Sequence, residues 1–182
     1  MGEEKKRLPV GLDNFEQIIN DNYYYVDKTR LISELLRNGG MVNLFTRPRR
    51  FGKTLNMSML KHFFSIEGDQ SIFEGLEISK DTKLCEEYMG KYSVIFVSLK
   101  GINAGTYATA FRLAVETIKS AAKKVKFLET SDKLDDYEKE DYRALLDKGM
   151  DEATLFLSLK TLSELLEKHY GRKVILLVDE YD

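Results

Sequence analysis

Three short apolar runs, at residues 41–46, 94–99 and 173–178, constrain the fold of this chain more than any other feature. Each run is nearly continuous in apolar residues and is bounded by glycine or charged residues, a pattern typical of a strand buried on both faces. Segments with helical spacing separate the runs, and strands that alternate with helices form parallel sheets with right-handed crossovers. The sequence therefore predicts the α/β class, as a three-layer sandwich around a parallel sheet.

Apolar residues at helical spacing predict the helices between these strands. The predicted helices cover residues 53–64, about 104–126 and about 151–169. Residues 65–92 are expected to be irregular with short helical pieces. The acidic stretch 129–141 is expected to be a solvated loop or helix face.

The first forty residues carry the signals of two short helices. Asp13 and Glu16 stand at capping-box spacing, which predicts a short helix that starts behind Asp13. Asp27 is placed to cap a second helix, which the Gly39-Gly40 pair ends. Between the two, residues 23–26 are expected to be a short strand or an extended stretch. Tyr23, Tyr24 and Tyr25 either stack on adenine or pack this segment onto the domain.

Composition limits the classes of protein to which the chain can belong. Its 182 residues allow one domain and are 43% hydrophobic, with 10 Tyr and 10 Phe, enough for a core. The net charge of −2 gives no overall attraction to nucleic acid or to an anionic membrane, and no apolar run is long enough to cross a bilayer. Cys85, the single cysteine, excludes an intramolecular disulfide and a cysteine zinc site, so we expect a cytoplasmic protein. His62 and His169 have no third ligand in view and predict no metal site.

The segment that runs from Arg47 to Thr54 reads Arg-Pro-Arg-Arg-Phe-Gly-Lys-Thr and is similar to a P-loop. It keeps Gly52, Lys53 and Thr54 of the pattern G-x-x-x-x-G-K-[ST], but Arg47 replaces the first glycine. It also lies between a predicted strand and a predicted helix, as a P-loop must. A coincidental basic start of a helix is the alternative interpretation.

The residue types of this loop suit a polyphosphate. Backbone N–H groups and the dipole at a helix N-terminus favour negative charge, and a glycine lets the backbone approach the phosphates. Lys53 is expected to reach the β- and γ-phosphates, and the Thr54 hydroxyl to ligate Mg²⁺. The arginines either surround the triphosphate or touch nucleic acid, or some of them face solvent or pair with acidic residues. The predicted nucleotide-binding residues are Arg47, Pro48, Arg49, Arg50, Phe51, Gly52, Lys53, Thr54 and Leu55.

The third apolar run ends in two acidic residues, Asp179 and Glu180. Ligands of a parallel sheet lie beyond the carboxyl ends of its strands, so Asp179 is expected near the end of the strand that precedes the loop. There it would bind Mg²⁺ through water, as the acid of a Walker B motif does. Glu180 is the predicted general base for the attacking water, with Lys53 as the second catalytic residue. A solvated turn after a strand is the alternative.

Five blocks of the sequence carry a resemblance to a known family. They are Leu8-Pro-Val-Gly11, Phe15-Glu-Gln-Ile18, Tyr23-Tyr-Tyr-Val-Asp-Lys-Thr29, residues 44–60 and Leu177-Val-Asp-Glu-Tyr-Asp182. Together they resemble the predicted AAA-ATPase-like domain of many bacterial and some archaeal proteins, and block 44–60 is highly specific. The resemblance implies a P-loop NTPase fold with ATP and Mg²⁺ as cofactors, Gly52 to Thr54 as Walker A, and Asp179 with Glu180 as Walker B. It also implies that Arg47 is the family's own version of the loop.

On these grounds the expected function is ATP binding with Mg²⁺-dependent hydrolysis. The alternatives are a nucleotide-gated regulatory or binding module with little hydrolysis and, third, a phosphotransferase. In the family a nuclease-like domain of the PD-(D/E)XK type often follows. Nucleic acid, bound through a domain outside this chain, is therefore one candidate partner, and a second copy of the chain is another. A membrane is not expected as a partner.

The sequence stops just after the third predicted strand, where folds seldom end. We therefore expect residues 1–182 to be the N-terminal portion of a longer ATPase domain. In this interpretation residues 1–40 are an extension that packs near the nucleotide site, and residues 41–182 are an incomplete P-loop core. Weak nucleotide binding and little hydrolysis are expected from these residues alone.

Overall fold

The computed structural model describes residues 6–46, 48, 51–102 and 104–180. The chain divides into two units, one that ends at Tyr92 and one that begins at Ser93. Each unit buries apolar side chains of its own. Within the described ranges, no helix is long and apolar enough to cross a membrane.

The first unit is built from helices. Its α-helices are α1 (Phe15–Asn20), α2 (Arg30–Asn38), α3 (Lys53–Phe64) and α4 (Thr82–Tyr88), with 3-10 helices at Gln70–Phe73 and Glu77–Lys80. The bounds of α3 are those that the apolar spacing predicted. The expected irregular stretch with short helical pieces over residues 65–92 is also confirmed.

The starts of α1 and α2 differ from the prediction in their capping residues. The side chain that caps α1 belongs to Asn14 and not to Asp13. Asn and Asp cap helices about equally well, so the spacing alone could not separate the two neighbours. Asp27 does not cap the first turn of α2, because its carboxylate binds Thr29 in a turn that precedes the helix. Gly39 follows the last residue of α2, as expected.

The run at residues 41–46, predicted to be a buried strand, forms no strand. The Asn43 side chain bonds back to Gly40, with Gly40 N–H donating to Asn43 Oδ1 at 3.1 Å and Asn43 Nδ2 donating to Gly40 O at 2.7 Å. This local turn competes with an extended ladder, and it leaves three apolar side chains in solvent. They are Met41, Val42 and Leu44, which are 96%, 87% and 66% exposed. Residues 23–26 form neither strand nor helix, so of the two expectations for them the strand is wrong and the extended stretch stays a prediction.

Aromatic side chains fill the centre of the first unit. Phe15 of α1, Phe63 of α3 and Phe73 of the first 3-10 helix are at most 1% exposed. The ring of Phe73 lies 5.1 Å from that of Phe15 and 5.4 Å from that of Phe63, centroid to centroid. Because aromatic rings at this spacing add to the hydrophobic gain of burial, the cluster fixes α3 by its second half.

The second unit is a parallel strand pair with helices between the strands. In chain order its elements are β1 (Val94–Ser98), α5 (Tyr107–Lys123), a 3-10 helix (Lys126–Thr130), α6 (Asp136–Ala144), α7 (Glu152–Tyr170) and β2 (Ile175–Asp179). Helix α5 is shorter than predicted because Thr106 caps it and the 3-10 helix replaces its last turn. The acidic stretch forms most of α6, whose capping box joins Asp135 and Glu138.

The strands pair in parallel register from Val94 opposite Ile175 to Ser98 opposite Asp179. The described residues thus form a mixed helix and strand structure with a two-stranded parallel sheet, which agrees with the α/β class. The first predicted strand, at residues 41–46, is not part of this sheet. Alternate residues of β1, Ile95 and Val97, face a core that α5, α6 and α7 supply.

Candidate functional site

Helix α3 begins at Lys53, directly after Gly52 of the predicted phosphate loop. Gly52 precedes the helix with φ of +74°, in the left-handed region, and its carbonyl accepts from Asn56 N–H at 2.9 Å. Among the described residues other than its chain neighbours, no atom lies within 4 Å of the place where a Cβ on Gly52 would be. The φ angle, and not crowding, is therefore what favours glycine at this position.

The side chains that follow Gly52 are accessible. Lys53, Thr54 and Leu55 are half-buried and Phe51 is 62% exposed. Lys53 forms no ion pair with any carboxylate in the part of the chain that the structure describes. The first N–H groups of a helix have no partner within the helix, so the start of α3 presents donors and a positive dipole. These are the features that bind anions at a helix N-terminus.

The remaining predicted loop residues are placed as follows. Pro48 is exposed. Arg47, Arg49 and Arg50 lie outside the described residues, so their role around the phosphates stays a prediction.

Helix α3 is anchored by contacts behind the candidate site. Phe15 N–H donates to Ser58 Oγ at 3.0 Å, which ties α1 to the middle of α3. At the other end Gly90 N–H donates to the carbonyl of Phe63 at 2.8 Å. The first six residues of α3 are half-buried, whereas most of its second half is buried. The helix is therefore fixed at its back, whereas its first six residues are only half-buried.

An aspartate and a threonine before α2 form a staple that sequence reasoning missed. Asp27 Oδ1 accepts from Thr29 N–H at 2.8 Å and from Thr29 Oγ1 at 2.7 Å, and Asp27 Oδ2 accepts from Glu77 N–H at 2.7 Å. Thr29 Oγ1 in turn accepts from Ile78 N–H at 3.0 Å. Thr29 and Ile78 are fully buried. These bonds tie the start of α2 to the second 3-10 helix, about fifty residues later in the chain.

The hydrogen bonds of the staple lower the pKa of Asp27. Partial burial is the largest influence on its carboxyl group and acts to raise the pKa. The hydrogen bonds from Thr29 and Glu77, together with Lys80, outweigh burial and hold the pKa below its usual value of 3.8. The staple therefore contains an ionised aspartate at neutral pH. The only sequence signal for it was the Asp-Lys-Thr triplet at 27–29.

The carboxyl end of β2 carries the predicted metal and base residues. Asp179 is 3% exposed, and its backbone carbonyl accepts from Leu99 N–H at 2.9 Å, so the parallel ladder continues to the last residue of the strand. Glu180 follows with φ of +53° and is exposed. The left-handed region costs a residue with a side chain about 1 kcal/mol, a strain often found at functional positions.

The donor set fits the groups that the resemblance implies. Thr54 offers a hydroxyl and Asp179 a carboxylate, and Mg²⁺ prefers oxygen ligands of these kinds. Lys53 offers an ammonium group and α3 its N–H groups, which suit phosphates. Gly52, Lys53 and Thr54 are contiguous in the first unit, and Asp179 and Glu180 in the second. The sequence placed Asp179 near the end of a strand at residues 41–46. These residues form no strand, and the position of Asp179 relative to the phosphate loop stays a prediction.

The remaining candidate residues have structural partners. His62 Nε2 lies 3.9 Å from Glu16 Oε2, and burial lowers the pKa of His62. His169 Nδ1 is 2.7 Å from Ser131 Oγ. Cys85 Sγ donates to a backbone carbonyl at 3.3 Å, and burial raises the pKa of this thiol. Among the described residues, no group of three or more His, Cys, Asp or Glu side chains could hold a metal ion.

The three tyrosines before α2 differ in environment. Arg7 lies over the ring of Tyr23 at 4.9 Å, and Tyr24 is 53% exposed. Tyr25 packs against Phe15, and burial raises its pKa to about 12. Tyr25 thus packs into the unit, and the alternative of stacking on adenine stays a prediction for Tyr24.

Comparison with known proteins shows the family to which the chain belongs. Over 75 residues, 41% of this chain, the sequence is 41% identical to an uncharacterized protein in the vnfD 5' region of Azotobacter chroococcum mcd 1. That match covers 14% of the relative's length. No solved structure matches the chain. A family model with the description "Predicted AAA-ATPase" matches residues 9–182, and the chain therefore belongs to this predicted AAA-ATPase family.

Proposed function

We propose that the chain binds ATP at the amino end of α3 and, with Mg²⁺, takes part in its hydrolysis. The observation that carries the proposal is the start of α3, where Gly52 at φ +74° leads directly into Lys53 and Thr54. A glycine followed by a helix N-terminus with a lysine and a hydroxyl is the arrangement that binds a triphosphate in P-loops. Membership of a predicted ATPase family supports the same ligand.

In this proposal the residues 47–55 bind the phosphates. Backbone N–H groups at the start of α3 donate to phosphate oxygens, and the ammonium of Lys53 neutralises charge on the β- and γ-phosphates. Lys53 has no acid partner among the described residues, so binding a phosphate breaks no ion pair there. Arg47, Arg49 and Arg50 add positive charge to the same nine-residue segment.

The proposed hydrolysis uses residues of both motifs. Thr54 and Asp179 are the residues that would hold Mg²⁺, Asp179 through water. Held there, Mg²⁺ would supply positive charge that offsets the charge developing on the phosphate oxygens. Glu180 accepts a proton from the attacking water and orients it, and its side chain is exposed directly after the buried Asp179 that ends β2.

Two matched pairs of variants test the proposal. Binding of a fluorescent ATP analogue in the presence of Mg²⁺ is measured for Lys53→Ala and for Lys61→Ala, which removes a lysine from the last turn of the same helix. We expect Lys53→Ala to abolish binding and Lys61→Ala to leave it within about twofold. Equal affinities for the two variants would refute the phosphate site.

Single-turnover phosphate release then tests the catalytic step. Glu180→Gln is expected to retain ATP and to lose phosphate release, whereas Glu167→Gln, an exposed substitution on α7, keeps it. Release that survives Glu180→Gln overturns the role of Glu180 as base. Tight binding with no release from the unmodified chain favours a nucleotide-gated module in place of an ATPase.

Localisation and larger partners are part of the same proposal. A single free thiol, whose pKa burial raises, suits the reducing cytoplasm in which ATP is abundant. Self-association and nucleic acid bound through a domain outside this chain stay proposals at the level of the family resemblance. Sedimentation of the chain with and without ATP tests the first of these.

A further inference from the structure

The first half of helix α7 is apolar on two sides. The side that faces the core of the second unit carries Leu155, Leu159 and Leu162. The outer side carries Phe156 and Leu157, which are 87% and 49% exposed. Since a helix that is apolar all round is normally buried, the outer side of this half is expected to be covered by a partner.

Tyr107 extends this apolar surface from the start of α5. Its hydroxyl donates to Glu152 Oε1 at 2.7 Å, which holds the ring, 68% exposed, beside the first turn of α7. Ala153 is also exposed and lies one helical turn before Phe156 and Leu157. We call these four apolar residues, Tyr107, Ala153, Phe156 and Leu157, the α7 patch. Single exposed apolar side chains are common, but a contiguous group of them marks an interaction surface.

Opposite charges flank the α7 patch at equal spacing along the helix. Glu152 comes four residues before Phe156, and Lys160 comes four residues after it. Four residues rise by about 6 Å, and residues four apart form one row on a helix surface. All three side chains of this row are exposed. The row is acidic at one end, aromatic in the middle and basic at the other end, so it is complementary in charge to its own reverse.

Both charges can accept a further partner. Lys160 Nζ lies 3.8 Å from Glu164 Oε1, with the two side chains 70% and 64% exposed, and an exposed pair of this kind contributes little free energy. The carboxylate of Glu152 accepts the hydrogen bond from Tyr107 and has lone pairs for more. A new partner at either charge therefore displaces water or a weak surface contact.

We propose that the α7 patch docks on the same patch of a second copy of this chain. The two α7 helices run antiparallel about a twofold axis at Phe156, so that Glu152 of each copy faces Lys160 of the other. Such an interface is isologous, the kind found in the commonest protein oligomers. Because the patch covers one helix face and Tyr107, a weak and reversible dimer is expected. The inference uses no residue of the proposed nucleotide site and does not depend on that function.

Sedimentation velocity without nucleotide, from about 10 µM to about 1 mM chain, tests whether the patch drives dimerisation. The unmodified chain is expected to dimerise in this range, and Phe156→Ser to weaken the dimer at least about tenfold, since buried aromatic side chains dominate interface energies. The control is Tyr137→Ser, which removes an aromatic ring that is 81% exposed on α6 and should leave the dimer within about twofold. An unmodified chain that stays monomeric, or equal effects of the two substitutions, would overturn the inference.

Charge reversal tests the antiparallel arrangement. Glu152→Lys places lysine opposite lysine at both ends of the interface, and Lys160→Glu places glutamate opposite glutamate, so each variant alone is expected to be monomeric. An equal mixture of the two variants restores opposite charges at both ends and is expected to dimerise as the unmodified chain does. A mixture that stays monomeric contradicts the proposed pairing. Circular dichroism establishes that the variants fold, and the Phe156→Ser comparison decides the matter if a charge reversal unfolds α7.

Discussion

Replacing Thr29 by valine removes one hydroxyl from the staple before α2 and keeps the shape of the side chain. The variant loses the bond from Thr29 Oγ1 to Asp27 Oδ1 and leaves the N–H of Ile78 without its acceptor. Because Thr29 and Ile78 are fully buried, water does not replace the lost partner without local opening. The perturbation is therefore one of polarity alone.

The size of the effect follows from these two bonds. An unpaired buried N–H costs about 1–3 kcal/mol, and a hydrogen bond to a charged group contributes about 1.5–3 kcal/mol. Asp27 is exposed and regains part of its loss from water, so the sum is about 2–4 kcal/mol. Thr29→Ser keeps both bonds and removes one buried methyl group, which costs about 1 kcal/mol.

Urea denaturation followed by circular dichroism measures the free energy of unfolding of the three proteins. The expected order of stability is unmodified chain, then Thr29→Ser, then Thr29→Val. Hydrophobic burial alone predicts the opposite order for the variants, since valine is the more apolar residue. Amide hydrogen exchange at Ile78 provides a local readout and should accelerate in Thr29→Val only. A valine variant as stable as the unmodified chain would falsify the claim that the Thr29 hydrogen bonds stabilise the fold.

Three further predictions concern other parts of the molecule. Glu180→Gly should raise the free energy of unfolding by about 1 kcal/mol, because glycine adopts φ of +53° without strain, while phosphate release is lost; a destabilised glycine variant contradicts this reasoning. Burial lowers the pKa of His62 below 6.5 in the folded chain, so its contribution to stability is complete above pH 6.5 and is lost as the pH falls. From pH 7 to pH 5 the urea midpoint should therefore drop less for His62→Gln than for the unmodified chain. Asp135→Ala should cost about 1 kcal/mol by opening the capping box of α6, and thermal melts should show no comparable loss for Asp132→Ala in the preceding loop.

Local signals predicted the elements whose formation depends on their own residues. The bounds of α3 follow from Gly52 and from apolar residues at helical spacing up to Phe64. The strands β1 and β2 follow from continuous apolar runs with glycine or polar residues at their ends. The positions of Lys53 and Thr54 at the start of α3 were predicted for the same reason, since the motif is contiguous, whereas the left-handed backbone of Gly52 was not predicted.

Features that depend on distant partners were beyond the sequence. Residues 41–46 form a strand only if a neighbouring strand pairs with them, and in the structure Asn43 instead forms a turn with Gly40. The staple joins Asp27 and Thr29 to backbone groups about fifty residues away, and nothing in the local pattern marks those groups. The register that brings Ser98 opposite Asp179 is likewise a property of the sheet and not of either strand alone.

Calorimetric titration of the chain with ATP, ADP and adenosine in Mg²⁺ tests the central claim most directly. If the amino end of α3 binds phosphates, affinity must depend on the phosphate chain. We expect measurable binding of ATP, weaker binding of ADP and no detectable binding of adenosine. Adenosine binding as tight as that of ATP, or no heat with ATP at millimolar concentrations, would contradict it.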